Sequence, residues 1–293
     1  MATTTVQQRR AYFRELLRNR KFVIGVGIFL LIATTAMLGA LFITPQMRRT
    51  GSFPARQPPG ALVGIGGMLG SDTLGRSIAV QWSEAVPNSL QVGLIAALLG
   101  TLIGAIIGFV SGYFGGVIDA LLRVLIDVFL SVPSLLFLIL IASLVKGISV
   151  RAMALIIGAF AWPSPARQVR AQVLSLKERP FVEVAYLSGM PGLEIIFREL
   201  MPHMLQWLGA NFVNAFIAAI LAESGLSILG LGPQREMTLG MMIYWALSYG
   251  AVLQNLWWWW LTPVLTLICL FLALYLIHIG FDEASNPRLR AQF

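Results

Sequence analysis

Charge, cysteine and histidine are all scarce in this sequence. Only 12% of its 293 residues are Asp, Glu, Lys or Arg, while 57% are hydrophobic. Few soluble domains of this length have that balance, so the composition points to a protein that lives in lipid. The one cysteine, Cys269, lies in an apolar run, which excludes an internal disulfide and any cysteine-based metal centre. His203 and His278 stand alone, with no second ligand at metal spacing, and read as packing or interface residues. No cluster of His, Cys or carboxylates has catalytic spacing, which argues against a membrane enzyme. The pair Gly-Lys occurs nowhere, so there is no phosphate-binding loop of the GxxxxGK[ST] type and no nucleotide or other cofactor is expected on this chain. A net charge of +8 does not mark a nucleic-acid partner either. The basic residues sit at the ends of apolar runs, where they orient a chain among membrane lipids.

What is abundant is apolar length. A helix needs about 20 apolar residues to cross the hydrocarbon core. Clear candidates are Phe22 to Ile43, Leu90 to Val110, Val117 to Val145 and Trp257 to Phe281, with Val150 to Trp162 and Leu205 to Leu221 less tidy. The expected fold is therefore an all-α membrane protein with about six transmembrane helices. Arg9, Arg10, Arg14, Arg18, Arg20 and Lys21 precede the first run and place the N-terminus in the cytoplasm by the positive-inside rule. That run is too long for a signal peptide and is read as a retained anchor. Six crossings put the C-terminus, the turn at 111–117 and the loop at 163–204 on the same side, and residues 44–88 and 223–256 outside.

Several spans carry more than length. Gly100, Gly104, Gly108 and Gly112 recur every four residues and bare one stripe of the second span, the small-xxx-small pattern by which helices approach closely in lipid. Asp119, Arg123 and Asp127 fall at i, i+4 and i+8 on one face of the third. They read as a charge ladder along the helix, with Asp127 also a candidate for the substrate path. Trp257 to Trp260 read as an interfacial anchor, and indole faces also stack on sugars. Glu223, followed by SGLSILGLGP, marks a broken or re-entrant backbone; Glu223 and Trp245 join Asp127 as candidates for pore or gate.

One polar stretch interrupts the oil: FVEVAYLSGMPGLEIIFRELMP at 181–202. Phe181 to Ser188 can form a short helix, and Gly189, Pro191 and Gly192 force a turn. Leu193, Ile196, Phe197 and Leu200 then recur at i, i+3, i+4 and i+7, so Leu193 to Met201 should be an amphipathic helix with Glu194, Arg198 and Glu199 on its wet face. Spacing alone fits a stiff cytoplasmic knob and a helix lying on the membrane equally well.

Glu183, Ala185, Gly189 and a closing Pro202 resemble the EAA loop of ABC-importer permeases, with Val184 in place of its second Ala and Met201 in place of its usual Leu. Further matches are GSDTLGRS at 70–77, NSLQVG at 88–93, SGYFGGVIDALLRVLIDVFLSVP at 111–133, ARQVRAQVLSLKE at 166–178, AESGLSILGLG at 222–232 and NPRLR at 286–290. They resemble the permease family for dipeptides, oligopeptides and nickel, on the side of its C-type subunit.

The resemblance implies a type I ABC importer permease fold. It divides the chain into residues 1–69 (tail, first span and external linker) and a permease unit at 70–293. It also implies a pseudo-twofold pairing with a homologous permease, two cytoplasmic ATPase subunits that hold ATP and Mg, and an extracytoplasmic substrate-binding protein. In it Glu183, Ala185 and Gly189 shape the first coupling helix and turn, while Leu193, Ile196 and Phe197 give the face that docks in an ATPase groove. Residues 233–260 depart most from the family, so the cargo stays open between peptides, which the family favours, and oligosaccharides, which the tryptophans favour. Nickel lacks an outer His or Cys cluster. An ion-coupled secondary transporter would want broken, ionisable helices in paired halves, of which only Asp127 is a hint.

Overall fold

The computed structural model of the chain describes residues 16–61, 64–145 and 147–285. Arg9, Arg10 and Arg14 and the NPRLR match at 286–290 lie outside the described residues. Among those described, regular structure is helical, and Ser71 and Ser77 make an isolated antiparallel bridge.

Helix α1 (Arg20–Leu41) begins at Asn19, whose side chain accepts from the amides of Lys21 and Phe22 and so supplies two partners that the first turn lacks. The spine of the bundle is α2 (Ile78–Phe114), 37 residues capped by the Ser77 hydroxyl at Val80 N–H and about 55 Å long at 1.5 Å per residue. Then come α3 (Gly116–Ser131), α4 (Ser134–Leu144), α5 (Val150–Phe160), α6 (Pro163–Lys177) and α7 (Pro180–Leu187). A second long helix, α8, runs over Gly192–Ile228 and includes a π-helical turn at Ile196–Leu200. A short α9 (Leu239–Ser248) folds back before the last helix, α10 (Trp257–Ser285).

Among the described residues α1, α2, α8 and α10 are each long and apolar enough to cross a membrane, and α3 with α4 adds a fifth span only as a pair bent by 74°. The expected straight span Val117 to Val145 is thus broken at Val132-Pro133, because proline removes an amide and forces the residue before it out of the helical region. The expected fourth span, Val150 to Trp162, is also corrected. Helix α5 has 11 residues, about 16 Å, too few to cross alone.

After α5 comes α6, which the sequence placed wholly in a loop and which packs along α2. A Cβ on Gly100 would stand 2.7 Å from Ala161 Cβ, on Gly104 2.8 Å from the Trp162 carbonyl, on Gly108 2.6 Å from Val169 Cβ and on Gly112 2.8 Å from Val173 Cβ. The whole glycine row of α2 is therefore covered by the α5–α6 junction and α6, backbone nearly on backbone.

The first helix belongs to the same bundle. Gly25 faces the Ala273 carbonyl and Ile277 N of α10, and Gly280 of α10 faces Phe22. The segment between α1 and α2 is tied down as well: Ser71 Oγ donates to Pro54 O (2.6 Å) and accepts from Gln57 N (2.9 Å), while Trp258 Nε1 donates to Ser71 O (3.1 Å).

Replacing Gly108 by Ile forces side-chain atoms into Val169 and the Ala166 carbonyl, an overpacking cost of about 1–3 kcal/mol. Gly27 of α1 has nothing within 4 Å of an added Cβ. Gly108→Ile should lower the unfolding temperature of the detergent-solubilised protein by several degrees, and Gly27→Ile should leave it within error.

Candidate functional site

Two ends of the bundle are distinguishable because α2 joins them. At its C-terminal end sits a knob made of α7 and the start of α8. The turn between them needs a residue in the left-handed region, and Gly189 supplies it at φ +79° with empty space around it. Ala185 and Val182 of α7 pack inward with Ile195, Ile196, Leu200 and Met204 of α8. Glu183 is exposed beside an open groove that Tyr113, Lys177 and Tyr186 also line. Pro202 comes just after the π turn, inside α8.

The outer skin of this knob is apolar: Val184, Tyr186, Leu187, Leu193 and Phe197 are each more than half exposed. Leu193 and Phe197 thus stand free, whereas Ile196, expected beside them, is buried inside the chain with Ile195. The π turn explains the change. The Met201 amide reaches back five residues to the Ile196 carbonyl, so the helix takes up an extra residue and the inward face passes through Ile195 and Leu200. The wet face carries an ion pair between Glu194 and Arg198 (2.5 Å).

Midway along α8 the wall of a cavity of about 410 Å³ turns polar, with Asn211 and Asn214 facing Gln168 and Ser164 of α6 and Ser134 at the α3–α4 break. The bend between α3 and α4 lies on its wall, which includes Val132, Pro133 and Ser134. These side chains were not singled out from the sequence; the signal available was a pair of asparagines three residues apart in an otherwise apolar helix.

The aspartates of α3 do not form a ladder along their own helix. Asp119 takes both Arg170 Nε (2.5 Å) and Nη2 (2.7 Å), and Asp127 takes Arg167 Nη2 (2.6 Å), so both pair across to α6 and neither with Arg123. Glycine-close packing of α2 on α6 brings those arginines within reach, and Arg170 grips both oxygens of Asp119 as a fork. Asp127 is half exposed and does not line the 410 Å³ cavity.

At the opposite end Glu223 has 0% exposure and is not on the wall of the 410 Å³ cavity. Its carboxyl accepts from Ser227 Oγ (2.7 Å), Thr238 Oγ1 (2.6 Å) and Ser89 Oγ (3.3 Å). Ser89 Oγ accepts in turn from Leu239 N (2.9 Å), and Thr238 Oγ1 from Met241 N (3.1 Å). One buried carboxyl thereby joins α2, α8 and the start of α9. The broken backbone expected around Glu223 lies further on: α8 runs through Gly225, and the break comes at Gly230 (φ +81°), after which α9 returns over Ser224 and Ser227 at Gly240.

The tryptophan block is mostly core. Trp259 is fully buried and Trp258 nearly so, because four adjacent indoles on a packed helix cannot all face outward; Trp257 alone of the four is more than half exposed. Trp245 of α9 is half-buried, with Tyr249 stacked on it at 5.8 Å and the Arg76 guanidinium 5.9 Å from its ring centre.

The family described as the binding-protein-dependent transport system inner membrane component matches residues 100–291. The chain belongs to this family. It is similar to a Brucella suis protein named as a peptide transport system permease, 30% identical over 95% of this chain and 92% of that one. It is likewise similar to the oligopeptide transport system permease protein OppC of Mycobacterium tuberculosis, 28% identical over 99% and 98%. Chains from two crystal forms of the inward-facing MetNI methionine ABC transporter share its fold at 19% and 20% identity, with TM-scores of 0.54 and 0.55. They cover 69% and 70% of this chain and 93% and 94% of their own.

The protein is therefore a multi-pass inner-membrane permease of the ABC-importer type, a transport subunit that works with a separate ATPase and a substrate-binding protein. In that light the permease has three assemblies to account for: an apolar knob, a largely apolar cavity with a polar band on the same helix, and a buried carboxyl that ties α8 to α9.

Glu223→Ala strands hydroxyls of Ser89, Ser227 and Thr238 in a dry site, at about 1–3 kcal/mol for each left unmatched. Hydrogen exchange of the α9 amides Leu239 to Met242 should speed up at least tenfold in this variant, with the α2–α6 packing unchanged.

Proposed function

We propose that this chain forms half of the translocation pore of an ATP-driven importer of peptides. It would be paired about a pseudo-twofold axis with a homologous permease and driven by two cytoplasmic ATPase subunits that hold ATP and Mg. The N- and C-termini and the knob lie in the cytoplasm, and α9 with residues 44–77 lies outside, where an extracytoplasmic binding protein delivers the cargo. Residues 70–293 act as the permease unit, and α1 braces them through α10.

The observation that carries this reading is the knob: five apolar side chains left bare on a stiff helical pair, at the foot of the same α8 whose middle supplies asparagines to the 410 Å³ cavity. An apolar surface of that kind on a soluble loop costs free energy unless a partner covers it. Val184, Tyr186, Leu187, Leu193 and Phe197 are its docking face in this reading, and Ala185, Gly189 and Ile196 keep it in shape. Moving a two-state pore from mostly closed to mostly open takes about 5.5 kcal/mol of differential binding, which nucleotide-driven closure of the ATPases on the knob can supply.

Peptides are favoured by the names of the Brucella and Mycobacterium relatives. Asparagine, glutamine and serine side chains in the cavity offer donors and acceptors suited to a peptide backbone without fixing its sequence. Oligosaccharides lose their main support, since Trp258 and Trp259 are committed to packing.

The paired change Leu193→Asp with Phe197→Asp puts charge on the docking face without touching the chain's own core. It should leave the permease in the membrane, abolish co-purification of the ATPase and reduce peptide uptake in vesicles by more than tenfold. Ile196→Asp, aimed at a buried neighbour, should instead deplete the folded protein. Retention of the ATPase by the double variant would sink the assignment. Gly189→Trp, for which there is room but a strained φ, should keep the complex assembled while separating ATP hydrolysis from uptake.

A further inference from the structure

A second cavity, of about 370 Å³, lies at the end of the bundle opposite the knob, where the segment before α2 meets the turn before α9. Its size is that of a small-ligand site. Arg48, Arg76, Gln81, Glu84, Arg235 and Trp245 are on its wall.

Of the carboxylates near it, Asp72 and Glu236 already have donors. Glu236 accepts from the Val150 amide at 2.6 Å, whereas Glu84 Oε1, 2.8 Å from Arg48 Nε in an ion pair, is buried with no hydrogen-bond donor. Asp72, behind the wall, accepts from the Leu74 and Arg76 amides, from Arg76 Nε at 2.6 Å and from Gln81 Nε2 at 3.1 Å.

What is left over is informative. Arg76 Nη2 is buried with no acceptor, and Arg235 is exposed and forms no ion pair among the described residues. Gln81 is 5% exposed, and its Oε1 is buried with no donor. Buried polar atoms are rarely left without partners, so three in one cavity wall, Arg76 Nη2, Gln81 Oε1 and Glu84 Oε1, mark a place where something polar belongs. The unmet demand is for an anion at the two guanidinium groups and for N–H donation at Gln81 and Glu84, over the Trp245 indole. A carboxylate that carries an amide N–H close by satisfies both at once.

We propose that this cavity binds a peptide through a carboxylate and the adjacent backbone N–H, the carboxylate being the free C-terminus of the transported peptide. The proposal rests on the peptide-importer reading for its ligand, and on the cavity alone for its chemistry. Asp72 and Gln81 position the Arg76 guanidinium, Arg235 closes over the carboxylate from the solvent side, and Trp245 gives the terminal side chain an apolar floor. The same chemistry could arrive on an acidic residue of a docking protein, which the choice of probes separates.

The test is equilibrium binding to the permease co-purified with its partner subunits in nanodiscs, without nucleotide or binding protein. The probes are tri-alanine, tri-alanine amide and the C-terminally amidated peptide Ala-Asp-Ala. Tri-alanine should bind at least tenfold more tightly than either amidated peptide, and Arg235→Gln, at an exposed and unpaired side chain, should erase about tenfold of that affinity. Trp245→Leu should weaken binding of tri-alanine without changing the acid-to-amide ratio. Equal affinity for tri-alanine and its amide, or no effect of Arg235→Gln, overturns the proposal. Tighter binding of amidated Ala-Asp-Ala overturns the terminal-carboxylate assignment in favour of a protein side chain. Because no turnover is involved, failure here leaves the knob experiments untouched, and loss of uptake with intact binding counts against the importer reading alone.

Discussion

Close approach of α2 to the α5–α6 arm is the constraint on which the other parts depend. Four glycines at intervals of four let two helices meet with almost no side chain between them. Lipid gives apolar side chains no reason to prefer protein, so dispersion at short range and the absence of side-chain entropy have to hold such a contact. From that contact follow the reach of Arg167 and Arg170 to the aspartates of α3, and the position of Ser164 and Gln168 opposite the asparagines of α8. A side chain larger than glycine anywhere in the row would move the arm and, with it, one wall of the cavity.

Much of this was legible in the residues themselves. The glycine row, the polar stretch at 181–202 with its turn at Gly189, and three of the four long helices could be read directly because each depends on local chemistry: backbone freedom, periodicity and apolar length. The break in the third span was missed: average hydropathy runs straight across it, and Pro133 alone does not decide it, since Pro87 and Pro263 sit inside unbroken helices. Membership of α6 in the bundle was not legible. Its own residues are polar enough to suggest a loop, and only the bare stripe on α2 makes room for it.

Phase was the other limit. A period of 3.6 put Leu193, Ile196, Phe197 and Leu200 on one face, and the π turn reassigns them by one residue, so that Ile195 goes in while Leu193 and Phe197 stay out. Likewise, four tryptophans in a row carry no mark of which one faces lipid; that depends on Ser71 and Tyr249, distant in sequence, which receive Trp258 and Trp259. Partners far along the chain decide such matters, and composition near the residue does not record them.

Helix α8 is tied by hydrogen bonds at Glu223 and bares the Phe197 side chain at its other end, with the 410 Å³ cavity between them at Asn214. At 1.5 Å per residue those points lie about 39 Å and 13 Å from the fastened end. Geometrically this is a lever whose fulcrum is a carboxyl group: a push of a few ångströms at the knob arrives at the cavity reduced to about a third, with force raised in the same proportion. A large swing of a soluble motor would thus be geared down to the ångström-scale shift that opens or closes a gap between asparagine side chains.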